Sequence, residues 1–231
     1  MPTRAAAIIV AGGSSTRMNG IDKVFAPIMR KPVIAHTIEA FERAKSIEGI
    51  IIVARKDLVE RCMKLAKTMG YKKVRSVCAG GPRRQDSTLN GLREAYAYDV
   101  VAVHDAARPC VSAETIDGCV AGAERYGGMV AASPVSDTIK SVNADLEITA
   151  TVDRSALMAM HTPQAFRRSV LMQAYEHGND DATDEATLAE RAGFRVRVYI
   201  DSTDNIKITN PPDLDIAEAI LHRALNPLPP E

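Results

Sequence analysis

Ala5-Ala6-Ala7-Ile8-Ile9-Val10-Ala11, running straight into Gly12-Gly13-Ser14-Ser15, decides how the rest of the chain is read. Seven apolar residues with no polar alternation describe a strand buried on both faces, as in a parallel sheet covered by helices. With Arg4 just before it, the run has the outline of a secretory leader. It ends, however, in glycine, serine and charge, so an opening strand is the better reading.

Working outward, the same pattern repeats. Pro32 opens a helical stretch through Phe41, since proline suits a first helical turn. Gly49 to Ala54 reads as a second strand, and Asp57 as the N-cap of a helix reaching about Met69. Val74 to Val77 is strand-like, Arg83 to Tyr96 helical, and Val100 to His104 another buried strand. Ser112 or Glu114 starts a further helix before the apolar run Met129 to Ala132. Strands separated by helices predict an α/β fold, a Rossmann-like, mostly parallel sheet with helices on both faces. From Pro134 to Thr151 the character changes to two polar-alternating strands around Asn143-Ala144-Asp145, an inserted β-hairpin arm. The α/β pattern resumes with Phe194 to Ile200, a short Ile206-Lys207-Ile208 strand and a helix from about Asp213 to Leu225. One domain over 1–231, with a projecting arm at about 134–154, is expected.

Composition bounds the function. The 231 residues carry 29 Lys+Arg against 29 Asp+Glu, so no global field draws in nucleic acid or acidic lipid, and any anion site must be built locally. No apolar run approaches the ~18 residues of a membrane span. Cys62, Cys78, Cys110 and Cys119 show neither CxxC pairing nor metal-ligand spacing, which fits reduced thiols in the cytoplasm.

The glycine loop after the first strand offers backbone N–H groups at a strand's C-terminal end, where open α/β sheets bind ligands. It matches neither G-x-G-x-x-G nor the P-loop pattern. Its chemistry is small residues plus two cations, Arg17 and Lys23. Arginine clamps phosphate oxygens bidentately and lysine adds a compact charge. Taken alone, the loop is equally a glycine-rich turn with two surface cations.

GGSSTRM followed by lysine resembles the signature loop of nucleotidyltransferases that use a nucleoside triphosphate. Its Gly20-Ile21-Asp22-Lys23 ending is similar to molybdenum-cofactor guanylyltransferases, whereas cytidylyltransferases usually have Pro where Asp22 stands. Gly80-Gly81-Pro82-Arg83-Arg84-Gln85-Asp86-Ser87, His104-Asp105-Ala106-Ala107-Arg108-Pro109, Thr151-Val152-Asp153-Arg154, Thr162-Pro163-Gln164, Thr183-Asp184-Glu185-Ala186 and Asp204-Asn205-Ile206-Lys207-Ile208-Thr209 follow in order. Together, from Ala5 to about Ala219, they resemble the 2-C-methyl-D-erythritol 4-phosphate cytidylyltransferase family. Ribitol-5-phosphate cytidylyltransferase is a neighbouring alternative, although its counterpart of Asp-Ala-Ala-Arg-Pro is usually altered. A non-catalytic nucleotide-sensing module on the same fold is another.

The resemblance implies transfer of CMP from CTP to the acceptor phosphate with release of pyrophosphate. A phosphate is already a nucleophile, so catalysis reduces to positioning and charge stabilisation, and the motifs contain no Ser-His-Asp arrangement. It further implies that Arg17 and Lys23 stabilise the transition state, while Ala11, Gly12, Gly13, Ser14 and Ser15 wrap the nucleotide. Gly81 and Ser87 would meet the base, with Ala106 completing the nucleotide site. Pro82 stands where relatives often carry a polar residue that reaches the ribose. Asp105 beside a triphosphate makes sense with an intervening cation, Mg²⁺. Arg108, Thr138, Arg154, Thr162, Thr183 and Lys207 would hold the polyol phosphate, Arg154 and Lys207 in catalytic positions. The arm implies a homodimer in which Thr138 and Arg154 reach the neighbour's pocket. Arg84 reads as packing the loop, Arg83 as solvent-exposed, and His104 as a strand-end residue without chemistry.

Overall fold

The computed structural model describes residues 3–13, 22–177 and 182–226. Its strands are β1 (Ala5–Ala11), β2 (Pro27–Ile28), β3 (Lys31–Pro32), β4 (Ile47–Ala54), β5 (Val74–Ala79), β6 (Val100–Asp105), β7 (Gly128–Pro134), β8 (Ile139–Val142), β9 (Ile148–Val152), β10 (Met158–Arg167) and β11 (Arg197–Ile200). Its α-helices are α1 (Val33–Arg43), α2 (Val59–Met69), α3 (Arg84–Glu94), α4 (Ala113–Tyr126), α5 (Arg168–Glu176), α6 (Glu185–Arg191) and α7 (Pro212–Leu225).

Seven strands form one sheet in the order β11-β7-β10-β6-β1-β4-β5. The β1–β4, β1–β6, β4–β5 and β7–β11 pairs are parallel, and only β10 runs antiparallel to its neighbours. The continuous apolar runs have a direct cause. Ala5, Ala7, Ile9 and Ala11 of β1 enter the core on one face with Ile50 and Ile52 of β4. Ala6 and Ile8 enter the core on the other face with Ile51 and Val53. Side chains alternate across a strand, so a strand covered on both sides is apolar at every position. The first face packs Ile34, Ile38 and Phe41 of α1 and Ile116, Cys119 and Ala123 of α4. The second packs Leu92 of α3, Leu171 of α5 and Ala189 of α6.

Gly91 sets how closely α3 approaches the sheet. A Cβ there would lie 2.4 Å from Ile8 Cγ2 and 2.8 Å from Val53 Cγ2, so glycine alone fits. Arg84, at the start of the same helix, lines the cleft.

Two expectations are corrected and one strand is added. Asp57 does not cap α2: a 3₁₀ turn, Lys56–Leu58, precedes the helix, and the Asp57 carboxylate accepts from Arg55. Ile206-Lys207-Ile208 is not a strand. It crosses irregularly over the turn after β6, where the Ile208 N–H donates to the Ala107 carbonyl at 2.8 Å. Conversely β10, absent from the sequence reading, lies between β6 and β7. Pro163 interrupts its apolar pattern and can donate nothing to a ladder. The register with β7 shifts between Met160 and Gln164, which admits the proline at an irregularity.

The hairpin is present as β8 and β9, a separate two-stranded sheet. Asn143 builds its turn: Oδ1 accepts from the Asp145 and Glu147 N–H groups at 3.1 and 2.9 Å. Val142, Leu146 and Ile148 on the hairpin are exposed. All four cysteines are free, Cys62 and Cys119 buried and Cys78 and Cys110 half-buried. No described helix is long and apolar enough to cross a membrane.

Candidate active site

The C-terminal ends of β1, β5 and β6 converge on a cavity of about 310 Å³. Ala11, Gly12, Gly13, Lys23, Gly81, Ser87, Asp105 and Lys207, all singled out by sequence, line it. A second cavity of about 210 Å³ adjoins it, with Arg108, Thr162 and Thr183 in its wall. Arg84, Asp105 and Lys207 border both. Ser14, Ser15 and Arg17 lie outside the described residues.

Local chemistry builds the wall of the first cavity. The Lys23 ammonium lies beside Gly13, within about 4 Å of where a Cβ on that glycine would stand. Asp22 shapes the turn beneath: its Oδ1 accepts from the Val24 N–H at 3.2 Å and its Oδ2 pairs with Arg55 at 3.1 Å. The loop of Gly80 and Gly81 is closed by buried Ser87, whose Oγ accepts from the Gly81 N–H at 3.1 Å and donates to the Arg83 carbonyl at 3.1 Å. A Cβ on Gly81 would fall 2.3 Å from that of Asp86, so the turn requires glycine. Pro82 lines the cavity without a polar side chain. Arg83 is half-exposed, as expected, and pairs with Asp86 at 2.9 Å.

Asp105 is the electrostatic centre. Lys207 Nζ lies 2.7 Å from Oδ2, Arg84 Nε 3.6 Å from Oδ1 and Arg108 Nε 3.8 Å from Oδ2. Burial alone would raise the carboxyl's pKa, but Lys207, Arg84 and Arg108 outweigh it and hold it at about 2. The carboxylate is therefore ionised at neutral pH. Arg108 is fixed by donation from Nη1 to the Asn205 carbonyl at 2.6 Å.

His104 has a structural task beyond ending a strand. Its Nε2 bonds the Arg108 carbonyl at 3.1 Å, and because a carbonyl only accepts, Nε2 carries the proton. Nδ1 then accepts from the Thr162 hydroxyl at 3.0 Å, while that hydroxyl accepts from the Asp105 N–H at 3.1 Å. Burial drives the imidazole down to about 4, so it stays neutral while aligning both charged residues.

Several expected contacts are revised. The Thr162 hydroxyl, expected on substrate, is engaged in this chain, although the residue still borders the second cavity. Ala106 is fully buried: its N–H donates to the Val10 carbonyl and its own carbonyl accepts from Thr37 Oγ1. Ala107 lines the first cavity instead. Thr138 and Arg154, expected at a neighbour's pocket rather than their own, border neither cavity of this chain, and Arg154 donates to the Ser136 carbonyl.

Sequence reading missed Arg84 as a cleft residue, and with it His161, Gln164 and Asp184 of the second cavity. Gln164 Nε2 donates to Asp184 at 2.8 Å, and its Oε1 accepts from the Ala186 N–H, tying β10 to α6. Outside the motifs, a Ser-His-Asp row does form: His161 Nδ1 is 3.0 Å from Asp201 and its Nε2 3.3 Å from Ser133 Oγ. Ser133 is only 4 % exposed and borders neither cavity, and Asp201 also accepts from Thr115 and Asn205. The row ties β7, β10 and the residue after β11 together behind the second cavity rather than presenting a nucleophile.

Comparison with known proteins agrees with this geometry. A family model described as 2-C-methyl-D-erythritol 4-phosphate cytidylyltransferase matches residues 5–223. The chain is 40% identical over 227 residues to the protein of that name from Alkaliphilus metalliredigens, covering 96% of this chain and 94% of the relative. It is 39% identical over 228 residues to its Geobacter metallireducens counterpart, at 95% and 98% coverage. It also matches a bifunctional enzyme IspD/IspF of Desulfotalea psychrophila at 43% identity, spanning 58% of that longer protein. Among solved structures, the 4-diphosphocytidyl-2C-methyl-D-erythritol synthase of Anaerococcus prevotii superposes with a TM-score of 0.83 at 29% identity, covering 96% of this chain and 97% of that one. With the matched family model spanning nearly all the chain over a two-cavity cleft at the C-terminal ends of the sheet's strands, this protein belongs to the 2-C-methyl-D-erythritol 4-phosphate cytidylyltransferase family.

Proposed function

We propose that this chain transfers CMP from CTP to the phosphate of 2-C-methyl-D-erythritol 4-phosphate, giving 4-diphosphocytidyl-2-C-methyl-D-erythritol and pyrophosphate. The observation that carries the reading is the common wall of Arg84, Asp105 and Lys207 between two cavities. Two polyanions that must react need adjoining sites with cations at the junction. CTP occupies the larger cavity and the polyol phosphate the smaller. An acceptor phosphate oxygen attacks the α-phosphorus of CTP; that P–O bond forms as the bond to the β-phosphate oxygen breaks, and pyrophosphate leaves with the electron pair. No side chain has to remove a proton.

In this reading Ala11, Gly12, Gly13, Ser14 and Ser15 surround the triphosphate, and Arg17 and Lys23 stabilise the charge that develops on it. The Gly81 backbone meets the base, with Ser87 holding the loop. Arg108, Thr183 and Lys207 take the acceptor, and Thr162 forms part of its wall. Among the described residues no group of three or more His, Cys, Asp or Glu side chains could hold a metal ion. Asp105 nevertheless fits Mg²⁺, which binds through one or two carboxylates and takes its other oxygens from phosphates and water. Bound to Asp105, it would offset phosphate charge. The chain folds as one domain with an arm at about 134–154, and the setting is cytoplasmic. The exposed Val142, Leu146 and Ile148 support a homodimer in which each arm brings Thr138 and Arg154 to the other copy's acceptor site.

A coupled pyrophosphate-release assay tests the reading, run with each of four nucleoside triphosphates and with methylerythritol phosphate or ribitol 5-phosphate as acceptor. Turnover with CTP and methylerythritol phosphate is expected. Preference for ribitol 5-phosphate would reassign the acceptor, and no turnover with any pair would leave a nucleotide-sensing module.

A further inference from the structure

We propose that Arg84 is a further catalytic residue, whose guanidinium contacts the phosphates at the junction of the two cavities while buried Glu185 holds it from behind. The inference rests on the placement of the acceptor in the smaller cavity. Arg84 opens α3, and Glu185 opens α6, far along the chain and packed against the same sheet face. The Glu185 carboxylate is completely buried and accepts from Arg84 Nη1 at 2.8 and 2.9 Å and from Thr88 Oγ1 at 3.0 Å. A carboxylate at that depth requires a paired cation, which explains why an arginine is held at this position.

Pairing with Glu185 does not exhaust the guanidinium. Both hydrogen bonds it makes among the described residues leave from Nη1. Nε faces the cleft, 3.6 Å from Asp105 Oδ1, an ion-pair distance beyond a proper hydrogen bond. The side chain is 29 % exposed, against none for Glu185, and it lines both cavities. Burial works against the charge, but Glu185 and Asp105 outweigh it and raise the pKa above the ordinary arginine value. The group is a permanent cation of fixed orientation.

Charge at the junction gives this orientation a use. Arg84, Arg108, Lys207 and Lys23 face three carboxylates, Asp105, Asp184 and Glu185, leaving one positive charge for incoming phosphate. A guanidinium fork fits two phosphate oxygens at once, which the point charge of lysine does not. Fixed donors of this kind act on charge as it redistributes, with no reorganisation at the moment of reaction.

The test uses Arg84→Lys, which keeps the charge opposite Glu185 and removes the fork. With CTP and methylerythritol phosphate, kcat is expected to fall about 10–10²-fold, with the KM for CTP within about threefold. Arg84→Lys with both kcat and acceptor KM within about threefold of wild type would return Arg84 to a purely structural role. A crystal structure of the wild-type protein with the acceptor and a non-hydrolysable CTP analogue decides independently of how any variant folds. Nε or Nη2 within about 3 Å of a phosphate oxygen is expected. An acceptor seated in the smaller cavity, with no phosphate in hydrogen-bond reach of Arg84, overturns the inference alone. An acceptor bound elsewhere overturns the underlying site assignment as well.

Discussion

Lys207 Nζ sits 2.7 Å from Asp105 Oδ2, binding the irregular segment after β11 to the end of β6. The pair places a flexible cation and a buried anion in the wall of both cavities, so its titration reports on the cleft. Asp105 is held near 2, below its unfolded value of about 3.9. Such a group adds stability that is fully present above the unfolded pKa and is lost as pH falls through the folded one. Denaturant unfolding of wild type and Asp105→Asn, measured between pH 5 and pH 2 in parallel, should show wild type losing about 2 kcal/mol more than the variant. Parallel curves would mean that Asp105 does not titrate with this depression.

Asp105→Asn should also shift the activity curve to higher Mg²⁺ concentration, because a neutral amide is a poorer ligand for a hard dication. The measurement is initial rate against Mg²⁺ for both proteins. Superimposable curves assign Asp105 to organising Lys207, Arg84 and Arg108 alone.

The roles proposed for Lys23 and Arg17 can be told apart as turnover or binding. Alanine at either should lower kcat by about 10²–10³, with a smaller change in CTP affinity, as for other preorganised electrostatic groups. Steady-state kinetics at saturating acceptor checks this. A raised KM with normal kcat would assign the residue to uniform nucleotide binding instead.

The arm is tested by complementation. Two inactive proteins, Arg17→Ala and Arg154→Ala, are mixed under conditions of confirmed subunit exchange. If the arm serves the neighbour, each mixed dimer holds one intact site and one doubly damaged site. Half the dimers are then mixed and half active, so about a quarter of wild-type activity should return. If Arg154 serves its own chain, mixing restores nothing.

Gly91 is a test of packing with consequences for the cleft. Gly91→Ala should destabilise the fold by about 1–3 kcal/mol, since the added methyl meets Ile8 and Val53 in a close-packed core. Thermal unfolding gives the stability change. A stabilised variant would show that helix propensity outweighs the contact with the sheet.

Legibility followed the range of the interactions. β1, β4 and β6 were readable because burial on both faces writes itself into consecutive residues. So was the hairpin, whose turn is made by Asn143 and residues a few positions away. β10 was hidden by Pro163, and the Ile206–Ile208 apolar pair suggested a strand where Ile208 merely plugs the core above Ala107. In the cleft, glycines and charges at strand ends pointed to Lys23, Gly81, Asp105 and Lys207. Thr162 carried the right hydroxyl, yet its engagement with His104 and Asp105 depends on β10 lying beside β6.

By itself, then, the sequence determined the layered α/β sheet, the loops that reach the cleft and the family whose motifs those loops carry, because each is recorded in runs of neighbouring residues. Tertiary structure alone decided which charges meet. Arg84 reads as one of two adjacent loop arginines until Glu185 is buried behind it, and Ser133, His161 and Asp201 are unrelated residues until β7, β10 and β11 align. The reason is physical: strand periodicity is local, whereas the partner of a buried charge is chosen by whichever distant segment the fold brings within about 3 Å of it.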